Sequence, residues 1–236
     1  MIPKLIHYVW IGGATKPLEV EQTLNQWREK LPDYELIEWN ETNFPIQEAP
    51  QYVIDALDNQ KWAFVSDYIR LWALLNYGGI YLDTDVEVLK SFDDVLVNHS
   101  FIGEESQTTV CTAVIGSEPH QEWLKVLLES YKKRSFIRRN GKFDETPNSV
   151  IIFKFLQMNN AKKMGIKVFD QQIFSPINYY GNGRVTADTI CIHHYSASWK
   201  TRGQKRRDVA VRLMSKLVGE ATVNNVKAFI KTRRKG

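Results

Sequence analysis

Along the chain, hydrophobic positions fall into short blocks whose period alternates between that of a strand and that of a helix. Leu5 to Trp10 is an apolar run of strand length, and Ile11-Gly12-Gly13 reads as its exit loop. Pro17 to Lys30 leads into Leu24, Trp27 and Leu31 at helical spacing. After a turn at Pro32-Asp33, Tyr34 to Trp39 shows the partial alternation of a second strand. Pro45 and Pro50 interrupt the next segment, and Tyr52, Ala56 and Leu57 predict a helix beyond them. The firmest helical pattern runs from Trp62 to Tyr77, where Val65, Ile69, Trp72 and Ala73 recur with a period of 3.6 and Gly78 is suited to end the element. Strand-like runs follow at Ile80–Leu82, Val86–Leu89, Phe101–Gly103 and Val110–Ile115, helices at Glu122–Tyr131 and Ser149–Met158, and late strands at Ile166–Phe169 and Thr189–His194. Strands alternating with helices predict an α/β fold with a mostly parallel sheet covered on both faces.

Composition narrows the class. The 236 residues, 43% hydrophobic with seven Trp, suffice for one generous domain with a packed core. No apolar run approaches the roughly eighteen residues of a membrane span. The N-terminus lacks the basic start and long apolar region of a signal peptide. Cys111 and Cys191 lie in apolar surroundings far apart, and are expected to be reduced, buried thiols of a cytoplasmic protein. The net charge of +4 conceals a division: residues 200–236 hold twelve Lys or Arg and two acids (+10), while the other 199 residues hold nineteen bases and twenty-five acids (−6). The expectation is a mildly acidic body over 1–200 with a basic helical tail over 201–236, and no nucleic acid as partner. Within the tail, Ala210, Leu213, Met214, Leu217 and Val218 form one apolar stripe and Val223, Val226, Phe229 and Ile230 another, each among basic residues. Two helices packed on the body and an anchor for anionic lipid, which would leave the protein peripheral on the inner membrane face, are both open readings.

The chemistry concentrates at Gly78-Gly79-Ile80-Tyr81-Leu82-Asp83-Thr84-Asp85. Two carboxylates one residue apart follow a buried strand, at the sheet edge where α/β proteins bind ligands. Hard oxygen ligands there suit Mn²⁺ or Mg²⁺, which complete their shell with phosphate oxygens. On the preceding helix Asp67 and Arg70 share one face, and together offer a donor and an acceptor to sugar hydroxyls. Trp10, at the end of the first strand, is placed to stack on a flat ligand ring. Of the adjacent His193 and His194, which point to opposite faces, one can join the metal. The dinucleotide and Walker glycine patterns, zinc-type Cys and His pairs, and Gly-x-Ser-x-Gly are all absent.

These blocks in order resemble glycosyltransferase family 32: Ile2-Pro3-Lys4-x-Ile6-His7-x-x-Trp10-x-Gly12, then Ala63-x-x-Ser66-Asp67-x-x-Arg70 through Gly78-Gly79-Ile80-Tyr81-x-Asp83-x-Asp85, then His193-His194-x-x-x-Ser198-Trp199. The family includes capsule and exopolysaccharide sugar transferases and Golgi mannosyltransferases, and is distantly similar to the catalytic domains of clostridial glucosylating toxins. The resemblance implies a GT-A fold, a nucleotide-sugar donor, a divalent cation and retention of anomeric configuration. It assigns Val9 and Trp10 to the nucleotide base, Asp67 and Arg70 to the donor sugar, and Asp83 and Asp85 to metal and ribose. His193 or His194, Ser198 and Trp199 would close over the pyrophosphate. Tyr81 and Asn148 count with the substrate-binding positions, although Glu145-Thr146-Pro147-Asn148 lacks the glycine of the family's Thr-Gly-Pro loop.

The expected activity is transfer of a hexose, from a UDP-linked donor for preference, to a glycan or lipid-linked glycan acceptor in polysaccharide synthesis. A metal-dependent nucleotidyl or phosphoryl transferase would also place paired carboxylates at a strand end, but lacks phosphate-cradling lysines there. A non-catalytic binding module working through the basic tail is the third reading.

Overall fold

The computed structural model describes residues 1–196, 202–219 and 222–223. A six-stranded sheet of order β2-β1-β3-β6-β5-β7 is built from β1 (Leu5–Val9), β2 (Glu35–Trp39), β3 (Gly79–Leu82), β5 (Ser100–Ser106), β6 (Thr109–Ser117) and β7 (Ile166–Phe169). β4 (Val86–Val88) and β8 (Cys191–His193) form a separate antiparallel pair. The helices are α1 (Leu18–Lys30), α2 (Gln51–Asp58), α3 (Trp62–Tyr77), α4 (Glu122–Lys132), α5 (Asn148–Met158), the short α6 (Gln171–Phe174) and α7 (Arg202–Val218).

The sheet is mixed. β1 pairs in parallel with β2 and β3, and β5 with β7, whereas β6 runs antiparallel to both β3 and β5. The reversal follows from Gln107-Thr108, a two-residue connection that can join only antiparallel neighbours. It also lengthens the expected Phe101–Gly103 run into Ser100–Ser106. The run expected at Val86–Leu89 leaves the main sheet altogether and pairs with β8.

Each face of the sheet carries its own core. On one, Tyr81 and Ile115 pack against Val65, Ile69 and Leu71 of α3 and Trp123, Leu124 and Leu127 of α4; on the other, Ile6, Ile80 and Leu82 meet Leu24 and Trp27 of α1 and Val86 and Val88 of β4. Cys111 and Cys191 are free, buried thiols. The turn from α3 into β3 requires two glycines. Gly78 and Gly79 have φ of +66° and +99°, and a Cβ on Gly79 would lie 2.7 Å from the Leu5 carbonyl. Only a residue without a side chain permits both the left-handed backbone and the close approach to β1.

His7 locks that same corner from inside the core. Its Nδ1 accepts from Trp39 Nε1 at 3.1 Å and its Nε2 donates to the Gly78 carbonyl at 2.7 Å. Burial pulls the ring down from 6.5 to about 4, more than the Gly78 carbonyl can offset. Protonating Nδ1 would set its N–H against that of Trp39. The unfolded chain therefore binds more protons than the folded one between the two values. Stability from neutral His7 is complete above about pH 6.5 and lost as pH falls towards 4, by about 3 kcal/mol. Urea unfolding across that range should show the loss, and His7→Gln should flatten the slope whatever its effect on absolute stability.

Candidate active site

The acidic pair sits where the chain passes from one sheet to the other. Asp83 N–H still donates to Ala113 O of β6 at 2.9 Å, and Val86 N–H then turns back to Asp83 O at 3.0 Å. This turn spaces β3 from β4. The antiparallel register of β4 with β8 sets Val86 opposite His193, which brings the imidazole beside Asp85. One ligand atom from each of Asp83, Asp85 and His193 lies within 4.8 Å of the others. Asp85 Oδ2 accepts from Ser196 N–H at 2.7 Å and Ser196 Oγ at 3.0 Å, and Oδ1 lies 3.5 Å from His193 Nε2. His193 Nδ1 is buried without a hydrogen-bond partner among the described residues, with Glu105 Oε1 3.8 Å away.

Burial opposes the charge on His193, but Asp85 and Glu105 overcome it and push the imidazole up to about 10. Burial likewise opposes ionisation of Asp85, yet His193 and Ser196 hold its carboxyl well below the ordinary range.

Arg70 of α3 forms the second half of the floor. Its guanidinium is buried, 4.5 Å from the ring centroid of Tyr81, and Nη1 donates to Thr112 O at 2.5 Å. Nη2 lies 3.1 Å from Asp67 Oδ1 and 3.4 Å from Asp83 Oδ1. The Tyr81 hydroxyl donates to the same Asp83 oxygen at 2.8 Å. Burial works against the charge on Arg70, but Asp83, Tyr81 and Asp67 outweigh it and raise its pKa. Burial also pushes the Asp67 carboxyl up, against the pull of Arg70 and of the Asn148 amide.

These elements surround a cleft of about 640 Å³. Val9, Trp10, Asp67, Arg70, Tyr81, Asp83, Asp85 and His193 all line it. Trp10 is held by a 2.7 Å hydrogen bond from Nε1 to Ala14 O. Two candidates stand elsewhere. His194 points away from the pair, its Nε2 2.8 Å from Glu87 Oε2, because neighbours on a strand face opposite sides. Asn148 is fully buried behind Asp67: its N–H donates to Asp67 Oδ2 at 3.0 Å, its Nδ2 to Asp67 O at 2.5 Å, and its Oδ1 accepts from Tyr131 at 2.6 Å. Its side chain is spent on Asp67 and Tyr131 and does not line the cleft. Ser198 and Trp199 lie outside the described residues.

Several residues in or beside the cleft escaped the sequence pattern. Glu105 comes from the extension of β5 that the apolar run did not reveal, and Tyr179 from an irregular loop. Tyr195, whose ring centroid is 3.9 Å from that of His193, stands two residues along the chain from it, and that spacing was a usable signal. Arg134 supports the wall at Glu145 and Pro147 from behind, donating to Asp144 Oδ2 at 3.0 Å and to the Tyr52 hydroxyl at 3.1 Å.

The donor set of two carboxylates and one imidazole suits Mn²⁺ or Mg²⁺, and His193 Nδ1 is buried with no hydrogen-bond partner among the described residues. The lining sets Asp67, Asp83, Asp85 and Glu145 against Arg70 and His193, so added positive charge is accommodated.

Residues 17–102 match the family described as "Glycosyltransferase sugar-binding region containing DXD motif". The chain is 32% identical to mannosyl phosphorylinositol ceramide synthase SUR1 of Saccharomyces cerevisiae, over 58% of this chain and 37% of that protein. It is 27% identical to the uncharacterized glycosyltransferase L373 of Acanthamoeba polyphaga mimivirus, over 84% of both chains. The chain spans less than two fifths of the length of the yeast synthases it matches. Among solved structures, PaToxG glycosyltransferase superimposes with a TM-score of 0.52 at 18% identity, over 69% of this chain and 73% of that one. The likeness to DXD-containing glycosyltransferases is borne out, and the α/β arrangement is of the GT-A type.

Removing Arg70 should leave the buried Asp67 carboxylate without its countercharge. Arg70→Met is expected to lower the unfolding free energy by about 3–5 kcal/mol. Arg70→Lys should recover only part, since one ammonium cannot span Thr112 O and two carboxylates. Urea denaturation of the three proteins checks the order.

Proposed function

We propose that this chain is a retaining, divalent-cation-dependent glycosyltransferase that moves a hexose from a nucleoside diphosphate sugar to a glycan or lipid-linked acceptor. The observation that carries the proposal is the convergence of Asp83, Asp85 and His193 with the Asp67–Arg70 pair on the floor of one cleft. Asp83, Asp85 and His193 would hold Mn²⁺ or Mg²⁺, which supplies positive charge where a diphosphate leaves. Val9 and Trp10 give the cleft an apolar and aromatic wall for the nucleotide base. Asp67, fixed by Arg70 and Asn148, offers acceptor oxygens to sugar hydroxyls and negative charge beside a cationic anomeric carbon.

In the reaction proposed, the bond from the anomeric carbon to the diphosphate oxygen breaks and the acceptor oxygen attacks from the same face. The acceptor proton passes to the departing diphosphate. No side chain of the cleft need form a covalent adduct. UDP-hexoses and their N-acetyl derivatives fit this reading. The names of the yeast relatives add mannose to the sugars, and ceramide-type lipids to the acceptors, that a screen should include. Among the described residues no helix is long and apolar enough to cross a membrane.

A panel of nucleotide sugars assayed with and without Mn²⁺ should give free nucleoside diphosphate from at least one donor. Asp85→Ala should reduce that release by at least about 100-fold while its melting temperature stays within a few degrees. Turnover equal to the native chain's in this variant would overturn the assignment. Release of pyrophosphate would favour a nucleotidyl transferase instead.

A further inference from the structure

α7 has two opposed faces. On the inner one, Arg212 Nη2 donates to Tyr195 O at 3.0 Å, its guanidinium lies 4.9 Å from the ring centroid of Tyr179, and Ser215 is buried. Burial and a hydrogen bond to Asp208 push the Tyr179 hydroxyl up to about 12. Tyr179 and Tyr195 both line the cleft, so α7 is strapped across its rim.

The outer face is apolar and open to solvent. With about 100° between successive residues, Val209, Leu213, Leu217, Ala210 and Met214 fill one continuous arc opposite Asp208, Arg212 and Ser215. Leu213 is 57% exposed and Leu217 80%. Lys216 and Arg207 flank this arc on its two sides and Arg206 extends it towards the N-terminal end, all three exposed. An apolar arc of leucine, valine and methionine edged by bases is complementary to an anionic lipid surface, which takes both the hydrocarbon and the charge. The +10 charge of residues 200–236 acts in the same sense, whereas an ordinary solvated helix would show polar residues on that arc.

We propose that α7 docks this chain on anionic membranes through Val209, Leu213, Met214 and Leu217, and thereby holds the rim of the cleft, at Tyr179 and Tyr195, beside the bilayer. Docking rests on the helix alone. Its consequence, that the acceptor is presented from a lipid surface, rests on the glycosyltransferase reading.

Vesicle sedimentation tests docking without donor or metal, so its failure leaves the transferase reading intact. The full chain should co-sediment with phosphatidylcholine vesicles containing roughly one quarter phosphatidylglycerol, but not with phosphatidylcholine alone. Recovery should fall in about 1 M salt, where charges are screened within about 3 Å. L213D/L217D should weaken vesicle binding at least about tenfold, and both positions are exposed, so its melting temperature should match the native chain's. Equal recovery with both vesicle types, or unchanged binding of L213D/L217D, overturns the proposal. So does a native dimer, seen by light scattering, that L213D/L217D dissolves while neither protein binds vesicles, since the face would then join two protein chains.

Discussion

The buried guanidinium of Arg70 is the interaction on which the cleft depends. It ties α3 to Thr112 of β6, to Asp67 on its own helix and to Asp83 at the end of β3. A cation with that many directed contacts cannot shift without leaving a carboxylate or a carbonyl unpaired at the floor of the cleft. The helix is thereby fixed relative to the sheet edge. Asp67 and Asp83 are in turn held on either side of it. Preorganisation of this kind keeps charged groups from collapsing onto one another in a water-poor site.

Around that anchor the structure divides its work between two scaffolds. The main sheet provides Val9, Trp10, Tyr81 and Asp83 from the ends of parallel strands, which is where open α/β sheets bind ligands. The small β4–β8 sheet provides Asp85 and His193, one from the end of the turn and one from the register. Behind them, the buried Asn148 and Tyr131 and the half-buried Arg134 do not line the cleft but decide where Asp67 and the 145–147 wall stand. Mutations there would be felt at the cleft through geometry, not through lost ligand contacts.

Much of this was legible in the chain. The Trp62–Tyr77 period, the Gly78-Gly79 stop and the apolar strand before Asp83 are local signals, and each matches its element because propensity and burial agree there. The antiparallel course of β6 was not legible, since strand direction is set by connection length and neighbours, not by apolar period. Nor was the departure of Val86–Val88 from the main sheet, which depends on a partner a hundred residues later. His194 and Asn148 show the same limit from the other side. Their types suit a ligand, and only pairing decided that one turns outward to Glu87 and the other is walled in behind Asp67. Residues supplied by loops, such as Tyr179, carried no pattern at all.

The hydrogen bond from Ser196 to Asp85 closes a loop of 111 residues. As the chain emerges during synthesis, the acidic turn is complete long before the strand that pairs with it exists. Asp85 must spend that interval in water, its countercharge still unmade. Closing so distant a contact carries an entropic cost that local elements escape. This corner is therefore a product of late assembly, and a nascent chain stopped short of β8 would own the acidic signature without the pocket.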